Sequence, residues 1–223
     1  MDSPESEASF SPRGKRLAAA RIAGDRTVPT SSGIAVTDLA AGKAHLVTSI
    51  DWKSGEDKWP RWSPDGRTIV FYRVELGAGG EVTGSGVWAI GSDGSHLRRL
   101  TPPGQVFGDP DWSPDGKTIV LDSGPVDEYP EGGQQLFTMR PDGSDLTQLA
   151  ITGTAIVGQG ATGAAGPCWT PDGTAIVYTA LHDFDGELWS VPSTGGLATR
   201  LTQPEPGVRH THPAFRPVVA ATK

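Results

Sequence analysis

Thiol chemistry is nearly absent from this chain of 223 residues: Cys168 is its one cysteine, so no intramolecular disulfide and no cysteine-based zinc cluster can form. Basic charge is also short. Nineteen Lys and Arg against 26 Asp and Glu leave a net charge of −7, which argues against a nucleic-acid binder, whose footprint is a basic surface. No apolar run approaches the ~20 residues of a membrane span, so membrane insertion is not expected. Helical periodicity is missing throughout. Met1-Asp2-Ser3-Pro4-Glu5 is acidic with no apolar h-region behind it, so no signal peptide is read and the chain as it stands reads as cytoplasmic. No Gly-x-Ser-x-Gly nucleophile elbow occurs either. What is plentiful is turn chemistry, 30 glycines and 19 prolines beside a 36% apolar share, the composition of many short strands joined by tight turns.

Those turns repeat. Trp59-Pro60-Arg61-Trp62-Ser63-Pro64-Asp65-Gly66, Asp109-Pro110-Asp111-Trp112-Ser113-Pro114-Asp115-Gly116 and Gly166-Pro167-Cys168-Trp169-Thr170-Pro171-Asp172-Gly173 are near-identical. A weaker copy, Ala8-Ser9-Phe10-Ser11-Pro12-Arg13-Gly14, precedes them, and His212-Pro213-Ala214-Phe215-Arg216-Pro217 opens a fifth. Measured at the shared proline, the steps are 52, 50, 57 and 46 residues, a period that means stacked supersecondary units. After each turn comes an uncharged β-rich run: Thr68-Ile69-Val70-Phe71-Tyr72, Thr118-Ile119-Val120-Leu121 or Ala175-Ile176-Val177-Tyr178. Such a run reads as a strand buried on both faces. A variable loop, a second apolar run such as Val87-Trp88-Ala89-Ile90, a glycine turn such as Ser92-Asp93-Gly94-Ser95 and a closing Leu97-Arg98-Arg99-Leu100-Thr101 complete the unit. Each repeat therefore predicts four antiparallel strands, and the chain predicts an all-β propeller of four clear blades plus the start of a fifth, incomplete or open.

The Pro-x-Trp-Ser-Pro-Asp-Gly-Lys/Arg-x-Ile-Val-Phe pattern resembles the Pro-Asp propeller repeat of the TolB family, found also in propeller domains of tricorn-type and prolyl-oligopeptidase-type proteases. The resemblance covers residues 8–219. It implies a tail at 1–7, one propeller domain at 8–219 with blades about 8–48, 59–101, 109–150 and 166–202 and a partial blade at 212–219, then a tail at 220–223. It also implies a non-catalytic scaffold that binds protein or peptide, for such proteases carry their catalytic serine in a separate α/β domain. Two alternatives stay open: a substrate-gating propeller fragment of a serine peptidase, and a metal-dependent oligosaccharide lyase or hydrolase propeller. Relatives of this kind are typically exported, which would make the compartment periplasmic or extracellular if the chain is a piece of an exported parent.

Alternating strand direction puts the Ser-Pro-Asp-Gly and Asp-Gly-Ser turns on one rim and the variable connections on the other, where binding specificity usually sits. The variable rim collects acids, Asp51, Glu56, Asp57, Glu75, Glu81, Asp122, Asp127, Glu128, Glu131, Asp183 and Asp185. They serve solubility, or they steer a basic peptide, cation or protein. Asp127, Glu128, Asp183, Asp185, His210 and His212 are the candidate binding residues, with Trp52 and Trp59, read in an inter-blade loop, as contact residues. Asp183-Phe184-Asp185-Gly186 is a polar hairpin or a partial calcium loop lacking the further ligands of an EF-hand. His210 and His212, two apart at the start of a strand, would point the same way and with Asp109, Asp183 or Asp185 could hold zinc or manganese. So the cofactor reading is none, or one divalent metal, Ca, Zn or Mn. Arg61, Asp111 and Cys168 share one repeat position on the innermost strand and line the channel or fill the space between blades. Finally, unpaired terminal strand edges predict self-association.

Overall fold

The computed structural model describes residues 8–25, 28–123, 135–153, 161–182, 185–203, 208 and 210–215, with backbone alone at 161–162, 181–182 and 185. All regular structure among them is β, with no helix. The chain divides into two compact units, Met1–Val106 and Phe107–Lys223. Each contains two antiparallel sheets whose strands follow chain order.

In the first unit, Ala8–Phe10, Arg16–Asp25, Val28–Asp38 and Lys43–Leu46 form one sheet, with Ile50–Asp51 added to Val28–Asp38. Gly55–Trp62, Thr68–Leu76, Val82–Gly91 and Arg98–Arg99 form the next. The second unit holds Gly108–Trp112, Ile119–Asp122, Leu136–Met139 and Thr147–Gln148, then Ala161–Trp169, Ala175–His182, Asp185–Pro192 and Thr199–Arg200. A short parallel pair, Ile151–Thr152 with Gly196–Leu197, ties these two together.

The uncharged runs are the second strands, and they are buried on both faces as their composition requires: Ile69, Val70, Phe71, Ile119, Val120 and Leu121 are all at 0% exposure. Burying one such side chain is worth about 1.5–3 kcal/mol. Cores lie between successive sheets, Ala18, Ile34, Val36 and Val47 meeting Trp62, Ile69, Phe71 and Ile90 in the first unit. Val120, Leu136 and Leu149 meet Trp169, Ile176, Tyr178 and Trp189 in the second. The repeat tryptophans Trp62, Trp169 and Trp189 are buried in these cores, and Trp112 is buried as well.

One turn is built three times. Ser63 Oγ donates to Asp65 Oδ1 at 2.6 Å, that oxygen also accepts from Arg67 N at 3.0 Å, and Thr68 N donates back to Ser63 Oγ at 2.9 Å. Ser113, Asp115, Lys117 and Thr118 repeat these bonds, and Thr170, Asp172, Thr174 and Ala175 repeat them again. Gly66, Gly116 and Gly173 close the turns at φ 71°, 71° and 70°, where a side chain would meet the following carbonyl. The first copy has Arg13 in the aspartate's place and, without the carboxylate bonds, keeps the backbone bonds Gly14 N to Ser11 O and Ser11 N to Arg16 O and the serine bond Arg16 N to Ser11 Oγ.

A second recurring device was not legible in the motif. Threonine at the end of three repeats accepts a third-strand amide: Ile34 N donates to Thr48 Oγ1, Val87 N to Thr101 Oγ1 and Leu188 N to Thr202 Oγ1. The third repeat has Ala150 there.

The first strands correct the expected loop boundaries. Gly55–Trp62 and Ala161–Trp169 continue well before Pro60 and Pro167, so the stretches left between the expected blades at 49–58 and 151–165 are partly strand. Proline has no amide for a ladder and reads as a strand boundary. Here a bulge absorbs it: register shifts between Lys58 and Arg61, Gly108 and Asp111, and Ala165 and Cys168. In each bulge the residue before proline takes the left-handed region, Trp59 at φ 50°, Asp109 at 43° and Gly166 at 57°.

Candidate functional site

Hydrogen bonds place the two turn families on one rim of each sheet. Ser92 N donates to Arg67 O at 2.8 Å and Ser193 N to Thr174 O at 3.0 Å, joining Asp-Gly-Ser-type turns to Ser-Pro-Asp-Gly turns. The variable connections occupy the other end. Of the residues proposed there, Asp127, Glu128 and Asp183 lie outside the described residues, and Asp185 is described by its backbone, which opens Asp185–Pro192 opposite His182.

Of the two tryptophans expected in an inter-blade loop, Trp52 lies in a turn between strands and Trp59 does not. Trp52 sits half-buried in the turn before Gly55–Trp62, its amide donating to Thr30 O at 3.2 Å. Trp59 lies within Gly55–Trp62, half-buried, with the Arg61 guanidinium 5.8 Å over its ring.

Arg61, Asp111 and Cys168 do share a register, opposite Val70, Val120 and Val177. Ser9 occupies the equivalent place in the first repeat. There the position links sheets: Ser9 O accepts from Trp62 Nε1 at 3.0 Å, and Asp111 Oδ2 accepts from Trp169 N at 2.9 Å. Cys168 is buried at 7% exposure.

The histidine pair departs most from expectation. Residues 210–215 join no described strand, and His212 has φ 50°, so strand alternation does not align the two imidazoles. His210 is half-buried with its Nδ1 enclosed and lacking a hydrogen-bond partner, whereas His212 is exposed, its Cδ2 close to Gly166. Among the described residues no group of three His, Cys, Asp or Glu side chains could hold a metal.

Ion pairing reduces the acidity of the rim. Asp57, expected in an exposed loop, is 1% exposed in a strand; Arg73 grips it through Nε at 2.5 Å and a second nitrogen at 2.9 Å, and Thr48 Oγ1 donates to it at 2.6 Å. The Arg73 guanidinium also lies 4.8 Å over the Trp88 ring. Glu75 pairs with Arg99, Glu56 with Lys58 and Glu187 with Arg200. Asp122 is the buried last residue of Ile119–Asp122, where its Oδ2 accepts from Gly166 N at 3.0 Å. The one sequence hint to these bonds was the arginine at residues 99 and 200, each two before the closing threonine.

On the opposite rim a shallow cleft of about 610 Å³ is lined by Gly116, Lys117, Thr118, Arg140, Pro141 and Asp142. Its cations are already engaged, Lys117 with Asp115 at 3.5 Å and Arg140 with Asp145 at 2.5 Å. The turn acids there titrate low: hydrogen bonds from the Ser63, Ser113 and Thr170 hydroxyls, then from backbone amides, hold Asp65, Asp115 and Asp172 below the ordinary carboxylate value. Such groups are fixed in charge and suit structure.

No protein-family model matches the sequence. A 71-residue stretch is 38% identical to the Tol-Pal system protein TolB 1 of Novosphingobium aromaticivorans, covering 32% of this chain and 14% of that protein. The crystal structure of TolB from Acinetobacter baumannii superposes with a TM-score of 0.64 at 18% identity, over 87% of this chain and 42% of that one. An oligogalacturonate lyase solved in complex with manganese gives 0.61 at 18% identity, over 94% of this chain and 58% of that one. The chain thus spans well under two thirds of each of these proteins. With its four-stranded antiparallel sheets and these neighbours, the chain has the β-propeller fold.

Proposed function

We propose that this chain is a non-catalytic propeller scaffold, a single domain over residues 8–219 built from Pro-Asp repeats, that binds a protein or peptide on its variable-loop rim. The observation that carries the reading is the bulge. One repeat position is held in the left-handed region whether it bears Trp59, Asp109 or Gly166. For a non-glycine residue that conformation costs about 1–2 kcal/mol, and such outliers concentrate at ligand clamps. Trp59 and Asp109 are half-buried there and Gly166 is buried, so the bulge supports the reading as a fixed framework that holds the variable connections, where binding specificity usually sits. Likeness to a protein of the Tol-Pal system supports a protein partner. The surplus of acids over bases in the chain supports a basic one.

The test is selection of peptides from a random library against the full chain. Selected binders should be enriched in Lys and Arg, and their association should slow as salt shortens the Debye length below ~8–10 Å. Asp127→Lys with Glu128→Lys should weaken them, while Asp65→Lys with Asp115→Lys should lower stability and leave preference unchanged. A hydrogen-exchange footprint on the Ser-Pro-Asp-Gly rim would overturn the assignment.

A further inference from the structure

The sequence contains no asparagine, yet it carries six Asp-Gly pairs, Asp65-Gly66, Asp93-Gly94, Asp115-Gly116, Asp142-Gly143, Asp172-Gly173 and Asp185-Gly186. Both facts bear on one reaction. When glycine follows asparagine or aspartate, its backbone nitrogen can attack the side-chain carbonyl carbon, because glycine puts no side chain in the way. With a protonated aspartate, the glycine N–Cγ bond forms as the Cγ–OH bond breaks, and water leaves with the proton of the glycine N–H. Water then opens the cyclic imide, and opening at the backbone carbonyl leaves isoaspartate, with the chain rerouted through the side chain. One water goes out and one comes in, so mass is unchanged and no oxidant or reductant is needed. The fold cannot discard these glycines: Gly66, Gly94, Gly116, Gly143 and Gly173 have φ of 71°, 87°, 71°, 90° and 70°, a turn conformation that favours Gly or Asn.

In each of these five turns both reacting groups are engaged elsewhere. The glycine amide donates back at 2.9 Å to the carbonyl three residues earlier: Gly66 N to Ser63 O, Gly94 N to Gly91 O, Gly116 N to Ser113 O, Gly143 N to Arg140 O and Gly173 N to Thr170 O. The aspartate Oδ1 accepts from the amide two residues on at 2.9–3.1 Å and from a hydroxyl at 2.6–2.7 Å. That hydroxyl stands two residues before the aspartate in Ser63, Ser113 and Thr170, and two after it in Ser95 and Ser144. What the two turn families share is therefore the engagement of the carboxylate and the glycine amide, not a fixed position for serine. Asp172 takes both placements, since Thr174 Oγ1 donates to it as well at 2.9 Å. The same bonds lower the pKa of all five acids, which disfavours the protonated form that loses water.

We propose that the serine or threonine hydroxyl of each turn is a chemical lock, holding Asp65, Asp93, Asp115, Asp142 and Asp172 against conversion to isoaspartate in the folded protein. Reaction then proceeds through the transiently opened turn, at a rate set by the open population. The absence of asparagine removes the deamidating version of the same reaction.

The test ages the full-length protein in buffer and in urea and reads isoaspartate at each site by peptide mapping, as a peptide of unchanged mass and shifted retention. All five sites should convert at least about tenfold more slowly in buffer, the open turn being a minor population, and Asp172 should be the slowest. Ser144 is exposed, so Ser144→Ala removes one hydroxyl without touching a core. Conversion at Asp142 should rise about fivefold, the worth of one ordinary hydrogen bond, while the other four sites of the same molecules keep their rates. Ser144→Thr should restore the slow rate, because Thr174 makes the equivalent bond. Four results would each overturn the proposal: equal conversion in buffer and urea, an unchanged rate at Asp142 in Ser144→Ala, a Ser144→Thr rate as fast as that of Ser144→Ala, and acceleration spread evenly over the five sites, which places control in global unfolding.

Discussion

Asp57 shows how a single buried carboxylate can be misjudged from its neighbours in sequence. Set between Glu56 and Lys58 it resembles a solvated loop acid, yet the strand's alternation turns it inward to Arg73 and Thr48. Removing one member of a buried pair strands the other. Asp57→Ala should therefore destabilise by roughly 3–5 kcal/mol, and the double variant Asp57→Ala with Arg73→Leu should recover most of that loss in denaturant melts. Tyr178 makes the opposite case: its hydroxyl is buried with no hydrogen-bond partner, and burial pushes its pKa well above the ordinary tyrosine value. Tyr178→Phe should stabilise by on the order of 1 kcal/mol in the same melts, because an unsatisfied buried group is removed. A clear loss of stability would mean that the hydroxyl is bonded after all.

Strands and turns were readable to different depths. The second strands announce themselves because burial on both faces demands an unbroken apolar run, and the Ser-Pro-Asp-Gly turns because three constraints fall on adjacent residues. The first strands were read too short, since Pro60, Pro110 and Pro167 forbid a regular ladder and a bulge leaves no composition of its own. The rim was least legible: the partners of Glu75 and Glu187 come from a strand more than ten residues away, and no local pattern encodes that distance. His210 and His212 were expected to point the same way because a regular strand was assumed beneath them, and residues 210–215 form none among the described strands. For the turns, Gly173→Ala puts a side chain at φ 70° with Pro114 Cδ 3.5 Å away, an ordinary contact. The cost should then be the backbone term alone, about 1–2 kcal/mol, and a stability loss above ~3 kcal/mol would point to a clash that this geometry lacks.

Across the whole molecule the repeated turns act together on acid stability. Asp65, Asp93, Asp115, Asp142 and Asp172 are all held below the ordinary aspartate value, first by a serine or threonine hydroxyl. A carboxylate depressed in the folded state contributes stability that is present above the unfolded pKa and is lost as pH falls through the folded value. Stability should therefore be level through neutral pH and decline below about pH 4. Replacing Asp65, Asp115 and Asp172 together by Asn should flatten that decline in urea melts run between pH 2 and 6, and an unchanged slope would exclude the turns as its source.

The third sheet differs from the rest in one small way, Ala150 where the other repeats close on Thr48, Thr101 and Thr202. Its strands are also short, 5, 4, 4 and 2 residues. A sheet with fewer ladder bonds and no hydroxyl to cap its third strand sits at the low end of local opening free energies. In time rather than in space, then, the molecule has a preferred place to come apart: amides of Leu136–Met139 should exchange before those of Val82–Gly91 under native conditions, and Ala150→Thr should narrow the gap between them.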